Sequence, residues 1–160
     1  MKKIKLYLDT SVPSFLFAKD SPEKLDATVR FWDIIRLGLY DIVVSDVLLA
    51  EISRSNEPSS QELEEKLMEI VAEIVSVDDD IYSLAQKYID EGIIPQKYQD
   101  DALHIALATY NEADALISWN FRHMVKLKTI RGVNGINRML GFKELEILTP
   151  QSWIQEDNNE

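Results

Sequence analysis

The stretch 98–120, YQDDALHIALATYNEADALISWN, decides how this chain folds. Asp100 and Asp101 open a run in which Ala102, Leu103, Ile105, Ala106, Leu107 and Ala108 leave little polar surface. A run apolar on every side is a buried helix, and acids in its first turn face free N–H groups and the positive end of the helix dipole. After a turn over 111–114 comes a short apolar run, 115–118, and then Trp119 and Asn120. The order is helix, turn, strand, with a polar residue at the strand's carboxyl end. In an open parallel sheet that edge collects ligands and chemistry. It offers Asp101 and Asn120 to one crevice.

Outward from there the chain alternates. Upstream, residues 4–8 (IKLYL) are β-prone and end in Asp9-Thr10-Ser11, and 12–18 predict a short helical piece with Pro13 near its start. Leu25, Val29, Trp32 and Ile35/Arg36 recur at three-to-four spacing, which predicts an amphipathic helix over 22–39 stopped near Gly38. Residues 41–45 (DIVVS) read as a buried strand, followed by a helix over 46–53, capped by Ser45 or Asp46, that carries Glu51. A break at 56–60 precedes a helix on which Leu63, Leu67, Ile70 and Val71 form the apolar stripe and the acids of 60–73 the solvated face. A brief strand at 74–77 and an acid-opened helix over 78–91, closed by Gly92, complete this part.

Downstream, Gly132, Asn134, Gly135 and Asn137 predict that 127–140 is a loop running into a short helix ended by Gly141. Residues 145–148 (LEIL) are a last strand, and 155–160 a polar tail that frays. Strands separated by helices imply right-handed crossovers and a mostly parallel sheet covered on both faces. The expectation is one α/β domain over 1–154 with a tail at 155–160.

Composition narrows the function. With 160 residues and 46% hydrophobic content, the chain has enough apolar material for one core. Zero cysteines exclude disulfides, thiolate metal sites and cysteine nucleophiles, and suit a reducing cytoplasm. No apolar run approaches the ~20 residues of a membrane span, and the charged start leads into a segment too short for a signal peptide. Lys and Arg total 17 against 28 Asp and Glu, a net charge of −11. Phosphate contacts need cations, so a nucleic-acid reading has to overcome that balance.

Four positions carry the chemistry. Asp9 follows the first strand, Glu51 lies on the helix after the second, Asp101 opens the buried helix, and Asn120 follows the next strand. Three carboxylates and an amide oxygen on one sheet edge would form an all-oxygen site of the kind hard divalent cations take. Taken singly, each has a plain structural reading: turn former, solvated acid or helix cap. Leu8, Leu49/Ala50 and Ala102 embed the acids in apolar runs, where a lone charge is costly unless paired or metal-bound. His104 reads first as a structural histidine, with a hydrogen bond near the site as the alternative. Arg122 and His123 read as phosphate contacts or as ordinary surface residues. Trp32, Trp119 and Trp153 read as anchors of the core or its edge.

LYLDTSVPSF at the start, LLAEI around Glu51, YQDDALHIALAT and ADALISWNFRHM together resemble the PIN domain family, in particular its VapC-like toxins. The resemblance extends through VNGINRMLGF and LEILTP over nearly the whole chain. It implies a three-layer α/β/α sandwich with a mostly parallel central sheet, and metal-dependent endoribonuclease activity on single-stranded RNA phosphodiesters with Mg²⁺ or Mn²⁺, the substrate partner being single-stranded or structured RNA. The family's acids fall on Asp9, Glu51 and Asp101, with Asp100 assisting or merely capping. Its fourth position, commonly Asp, is Asn120 here, which lowers the site's formal charge. Thr10 and Ser11 match the hydroxyl-bearing neighbours of the first acid. A homodimer silenced by a small basic antitoxin is implied as well, and the acidic surface over 62–73 favours such a partner over naked RNA.

The competing reading is a catalytically weak or inactive PIN-like module that binds a protein. A haloacid dehalogenase-type phosphohydrolase with Asp9 as nucleophile needs D-x-D-x-T, and Ser11 and Pro13 stand where the second Asp and the Thr belong. No G-x-S-x-G elbow or Gly-rich phosphate loop is present.

Overall fold

The computed structural model describes residues 2–70 and 72–158. Among them five strands form one sheet, all parallel, in the order β3-β2-β1-β4-β5: β1 is Lys5–Leu8, β2 Asp41–Ser45, β3 Ala72–Val75, β4 Ala115–Ile117 and β5 Glu146–Leu148. The strand order reverses at β1, between β2 and β4. Helices α1 (Ser11–Ser14), α2 (Pro22–Ile35), α3 (Asp46–Ser53), α4 (Ser60–Leu67), α5 (Asp79–Asp90), α6 (Gln99–Tyr110), α7 (Leu127–Met139) and α8 (Pro150–Asn158) connect and cover it.

Side chains alternate across the pleat, so each central strand feeds two cores. Tyr7, Val43 and Leu116 point into one, filled by α5, α6 and α7. Leu6, Leu8, Ile42, Val44, Ala115 and Ile117 point into the other, filled by α2, α3, α4 and α8. The result is the α/β/α sandwich expected. Each fully buried aliphatic side chain contributes about 1.5–3 kcal/mol, which is why these short apolar runs are strands buried on both faces. Helix α6 is buried along its whole length from Ala102 to Thr109, as its all-round apolar pattern requires.

Helix starts follow local chemistry. Ser45 caps α3 by accepting from Leu48 N–H, Asp78 caps α5 by accepting from Ile81 N–H, and Ser59 with Glu62 forms a capping box on α4.

Four expectations need correction. Helix α2 buries Ala27, Thr28, Phe31, Trp32 and Ile35, while Val29 is exposed. The apolar stripe is therefore rotated from the one read off Leu25 and Val29, because Phe31 and Ala27 fit the sheet face. Helix α4 ends at Leu67, and β3 begins at Ala72, which pairs with Ile42. The expected apolar position Val71 lies outside the described residues. Helix α7 is continuous despite its glycines. Gly132 lies where a Cβ would come within 2.8 Å of Ile93, Asn134 bonds Leu145, and Asn137 bonds Tyr88. Tertiary contacts outweigh a weak propensity there. Finally, α8 continues through Asn158, four residues into the stretch 155–160 read as a polar tail, whose last two residues lie outside the described ones.

Candidate active site

The carboxyl ends of β1, β2 and β4 converge on one cavity of about 300 Å³, lined by Asp9, Thr10, Ser11, Phe15, Glu51, Asp101, His104, Trp119 and Asn120. It is much smaller than a cleft at the opposite edge of the sheet, of about 650 Å³, but it brings together the buried Asp9 and the half-buried Glu51 and Asp101.

Asp9 is 3% exposed. The register Leu8↔Ile117 sets Asp9 level with Ser118, whose hydroxyl donates to Asp9 Oδ2. Ser11 donates to Oδ1 from both its backbone N–H and its hydroxyl. Burial pushes the Asp9 carboxyl up from its ordinary value, against the pull of His104 and the two serine hydroxyls. Ser11 also ties in the next strand end, because its Oγ accepts from Trp119 N–H at 2.8 Å.

Glu51 projects from α3 and its Oε1 accepts from Thr10 Oγ1 at 3.0 Å and from His104 Nε2 at 2.7 Å. His104 is fully packed in α6, and its Nδ1 lies 2.7 Å from Tyr7 Oη. The single Tyr7 hydroxyl proton goes to Ser45 Oγ. One ring nitrogen of His104 thus faces the Glu51 carboxylate and the other the Tyr7 hydroxyl. Burial alone would lower its pKa, but the Glu51 hydrogen bond and the charges of Asp9, Glu51 and Asp101 raise it. For Glu51 the opposite holds: burial raises its pKa, and His104, Thr10 and Arg54 more than offset this and lower it. His104 is thus a structural histidine and a member of the site at once.

Asp101, in the first turn of α6, accepts at Oδ2 from His123 Nδ1 at 2.9 Å. His123 is 7% exposed and stacked on Tyr98 at 3.9 Å between ring centroids, so it is not a surface residue. Asn120 Oδ1 accepts from His123 N–H at 2.9 Å and thereby shapes the turn that carries the ring to Asp101. Both histidines of the chain stand on site acids. Asp100 faces away from the cavity lining, paired with Arg54 at 3.7 Å on the surface.

Asp9 is buried within its apolar run, whereas Glu51 is half-buried and its neighbours Leu49 and Ala50 are exposed. Sequence reasoning did not find Tyr7 or Ser118. Ser118 was accessible in principle, because two adjacent parallel strands ending at Leu8 and Ile117 put the next residues side by side.

The donor chemistry fits a hard divalent cation: three carboxylates and an amide around one cavity, with no thiolate. Among the described residues the second oxygens of Glu51 and Asp101 have no protein partner. No three acidic or histidine side chains among the described residues are drawn into a single coordination shell, since two of the acids lean on histidines.

The PIN domain sequence profile matches residues 6–123, a span that contains all of these acids. The chain belongs to the PIN domain family. Solved PIN-type structures resemble it in fold. One is VapBC2 of Rickettsia felis bound to a DNA fragment from its promoter, at 18% identity and TM-score 0.56, covering 91% of this chain and 98% of that one. Another is the sarcin-ricin loop cleaving toxin VapC20 of Mycobacterium tuberculosis, at 15% identity and TM-score 0.57, covering 88% and 98%. No curated protein sequence matches the chain. Among the described residues of this PIN domain no helix is long and apolar enough to cross a membrane.

Proposed function

We propose that this PIN domain is a metal-dependent endoribonuclease that cleaves phosphodiesters of single-stranded RNA, and the toxin of a toxin–antitoxin pair. The observation that carries the reading is the convergence of Asp9, Glu51 and Asp101 on one small cavity at the strand ends. The two solved relatives, one a toxin–antitoxin complex and one an RNA-cleaving toxin, point the same way. Asp9, Glu51 and Asp101 would hold Mg²⁺ or Mn²⁺, with Asn120 beside them. A bound ion would orient water and neutralise charge on the phosphodiester.

The chain's own residues do the positioning. Ser11 and Ser118 fix the Asp9 carboxylate from both oxygens. His104 and Thr10 hold Glu51, and His123 holds Asp101. The His104 ring, packed between Glu51 and Tyr7, also keeps the Glu51 carboxylate at the cavity. In this reading the protein works in the cytoplasm as a homodimer, bound to a small basic antitoxin.

A second reading, a PIN-like protein-binding module without activity, is favoured by the histidine-engaged acids and by Asn120. Incubation of a single-stranded RNA with Mn²⁺, Mg²⁺ or chelator separates the two, with Asp101→Asn as control. Nuclease action requires metal-dependent cleavage that falls by at least about 100-fold in the variant. Cleavage that survives chelation, or that the variant retains, removes the nuclease reading.

A further inference from the structure

Beside the acid cavity, on its Ser11 side, three aromatic rings form a ledge. Phe15 and Trp119 line the cavity and meet edge to face at 5.8 Å between centroids, and Phe121 continues the row at 6.2 Å from Trp119. Trp119 is fixed: its indole N–H donates to Thr28 Oγ1 at 2.8 Å and its backbone N–H to Ser11. Phe121 is different. It is 48% exposed, a large ring held out from a well-packed turn.

Lys24, from α2, places its ammonium 5.2 Å from the Phe121 centroid, 5.6 Å from Phe15 and 5.9 Å from Trp119. Lys66, Lys87, Lys143, Arg30, Arg36 and Arg54 are all paired with carboxylates. Among the described residues Lys24 has no such partner, so its charge is not neutralised. What sets Lys24 apart is its place: its ammonium lies no more than 5.9 Å from three ring centroids, two of them lining the acid cavity. Aromatic rings beside an available cation are the two components of a single-strand binding surface: bases stack on rings, and phosphates meet the ammonium.

Granted the nuclease reading of the adjoining cavity, we propose that this ledge seats one nucleotide of single-stranded RNA next to the cleaved bond. Its base stacks on Phe121 and its phosphate pairs with Lys24. Stacking on one ring distinguishes little between bases, so the ledge confers a requirement for an unpaired nucleotide more than for a sequence. Duplex RNA, whose bases are already stacked on one another, would lack a base to offer. The ledge is a positioning surface.

The test is cleavage kinetics with Mn²⁺ on single-stranded RNA for the parent protein, Phe121→Ala, Phe121→Trp and Lys24→Gln. Phe121→Ala raises KM by about 5- to 100-fold with kcat little changed, and Phe121→Trp restores it. Lys24→Gln reduces the slope of log affinity against log salt by about one phosphate contact. An abasic site placed at successive positions identifies the seat: one position weakens the parent and leaves Phe121→Ala indifferent. Equal abasic penalties in both proteins, or an unchanged KM for Phe121→Ala in an enzyme that cleaves, overturn the ledge and leave the nuclease reading standing. A parent protein that neither binds nor cleaves RNA overturns both. Light scattering reads the competing occupant, a second copy of the chain. Loss of a dimer in Phe121→Ala with KM unchanged would assign the ledge to that copy instead.

Discussion

His104 Nε2 donates to Glu51 Oε1 at 2.7 Å, joining the middle of α6 to the helix after β2. The same ring reaches Tyr7 on the central strand, so one side chain ties three elements together behind the site. Replacement by leucine keeps the bulk but removes one of the two donors on Glu51 and a hydrogen-bond partner of the buried Tyr7 hydroxyl. Loss of such a buried donor costs about 1–3 kcal/mol. His104→Leu is therefore expected to lower the unfolding free energy by that amount and to shift the urea midpoint down accordingly, and an unchanged midpoint would mean the network is dispensable.

Asn120→Asp preserves the oxygen that accepts from His123 N–H and adds a charge to the cavity. Mn²⁺ should bind more tightly by on the order of 1–2 kcal/mol, the effect of one charge in a partly wet site. Titration calorimetry on the two proteins measures it. Identical affinities would put residue 120 outside the metal's surroundings.

Asn134 explains how α7 remains helical, and it can be tested there. Its amide donates to Leu145 C=O at 2.9 Å and accepts from Leu145 N–H at 2.8 Å, which fixes the entry to β5. Asn134→Ala strands both backbone groups of a buried residue, at about 1–3 kcal/mol. Chemical denaturation should show that loss, and amide exchange at Leu145 should accelerate.

A pH dependence follows from Asp114 at the far edge of the sheet. Slight burial raises its pKa, but hydrogen bonds from Lys143 Nζ and Lys5 N–H, each 2.7 Å, outweigh this and bring it below the ordinary 3.8. A carboxylate with a depressed folded-state pKa stabilises the protein above its unfolded value and loses that contribution as pH falls through the folded one. The stability gap between parent and Asp114→Asn should narrow as pH falls below the ordinary 3.8 and through the depressed folded-state value. Melting temperatures across that range decide it, and a gap that persists at the acid end would contradict the assignment.

The central strands were legible because each is a short apolar run between turn signals, and β1, β2 and β4 fall where that pattern puts them; β3, half-exposed, lies at Ala72–Val75 rather than 74–77. Helix α6 was legible for the same local reason. Helix α7 was not, since Gly132 and Asn134 weaken helix propensity and only Ile93 and Leu145 explain them. On α2, Trp32 and Ile35 are buried as expected, but Val29 is exposed and Ala27 and Phe31 are buried in its place, because both sets fit the helical period. Periodicity identifies an amphipathic helix but does not always choose between two neighbouring stripes.

The sequence by itself determined the order of elements, the parallel sheet, and the arrival of Asp9 and Asn120 at one edge. Those depend on neighbours within a few residues and on the handedness of strand–helix–strand connections. Tertiary structure alone decided the partners of the acids: Ser118 on Asp9 across 109 residues, His104 on Glu51 across 53, His123 on Asp101 across 22. Such pairs depend on strand register and on how two helices lean together. A slip of one residue would turn Ser118 away from Asp9, and no local property of either residue records which register is formed.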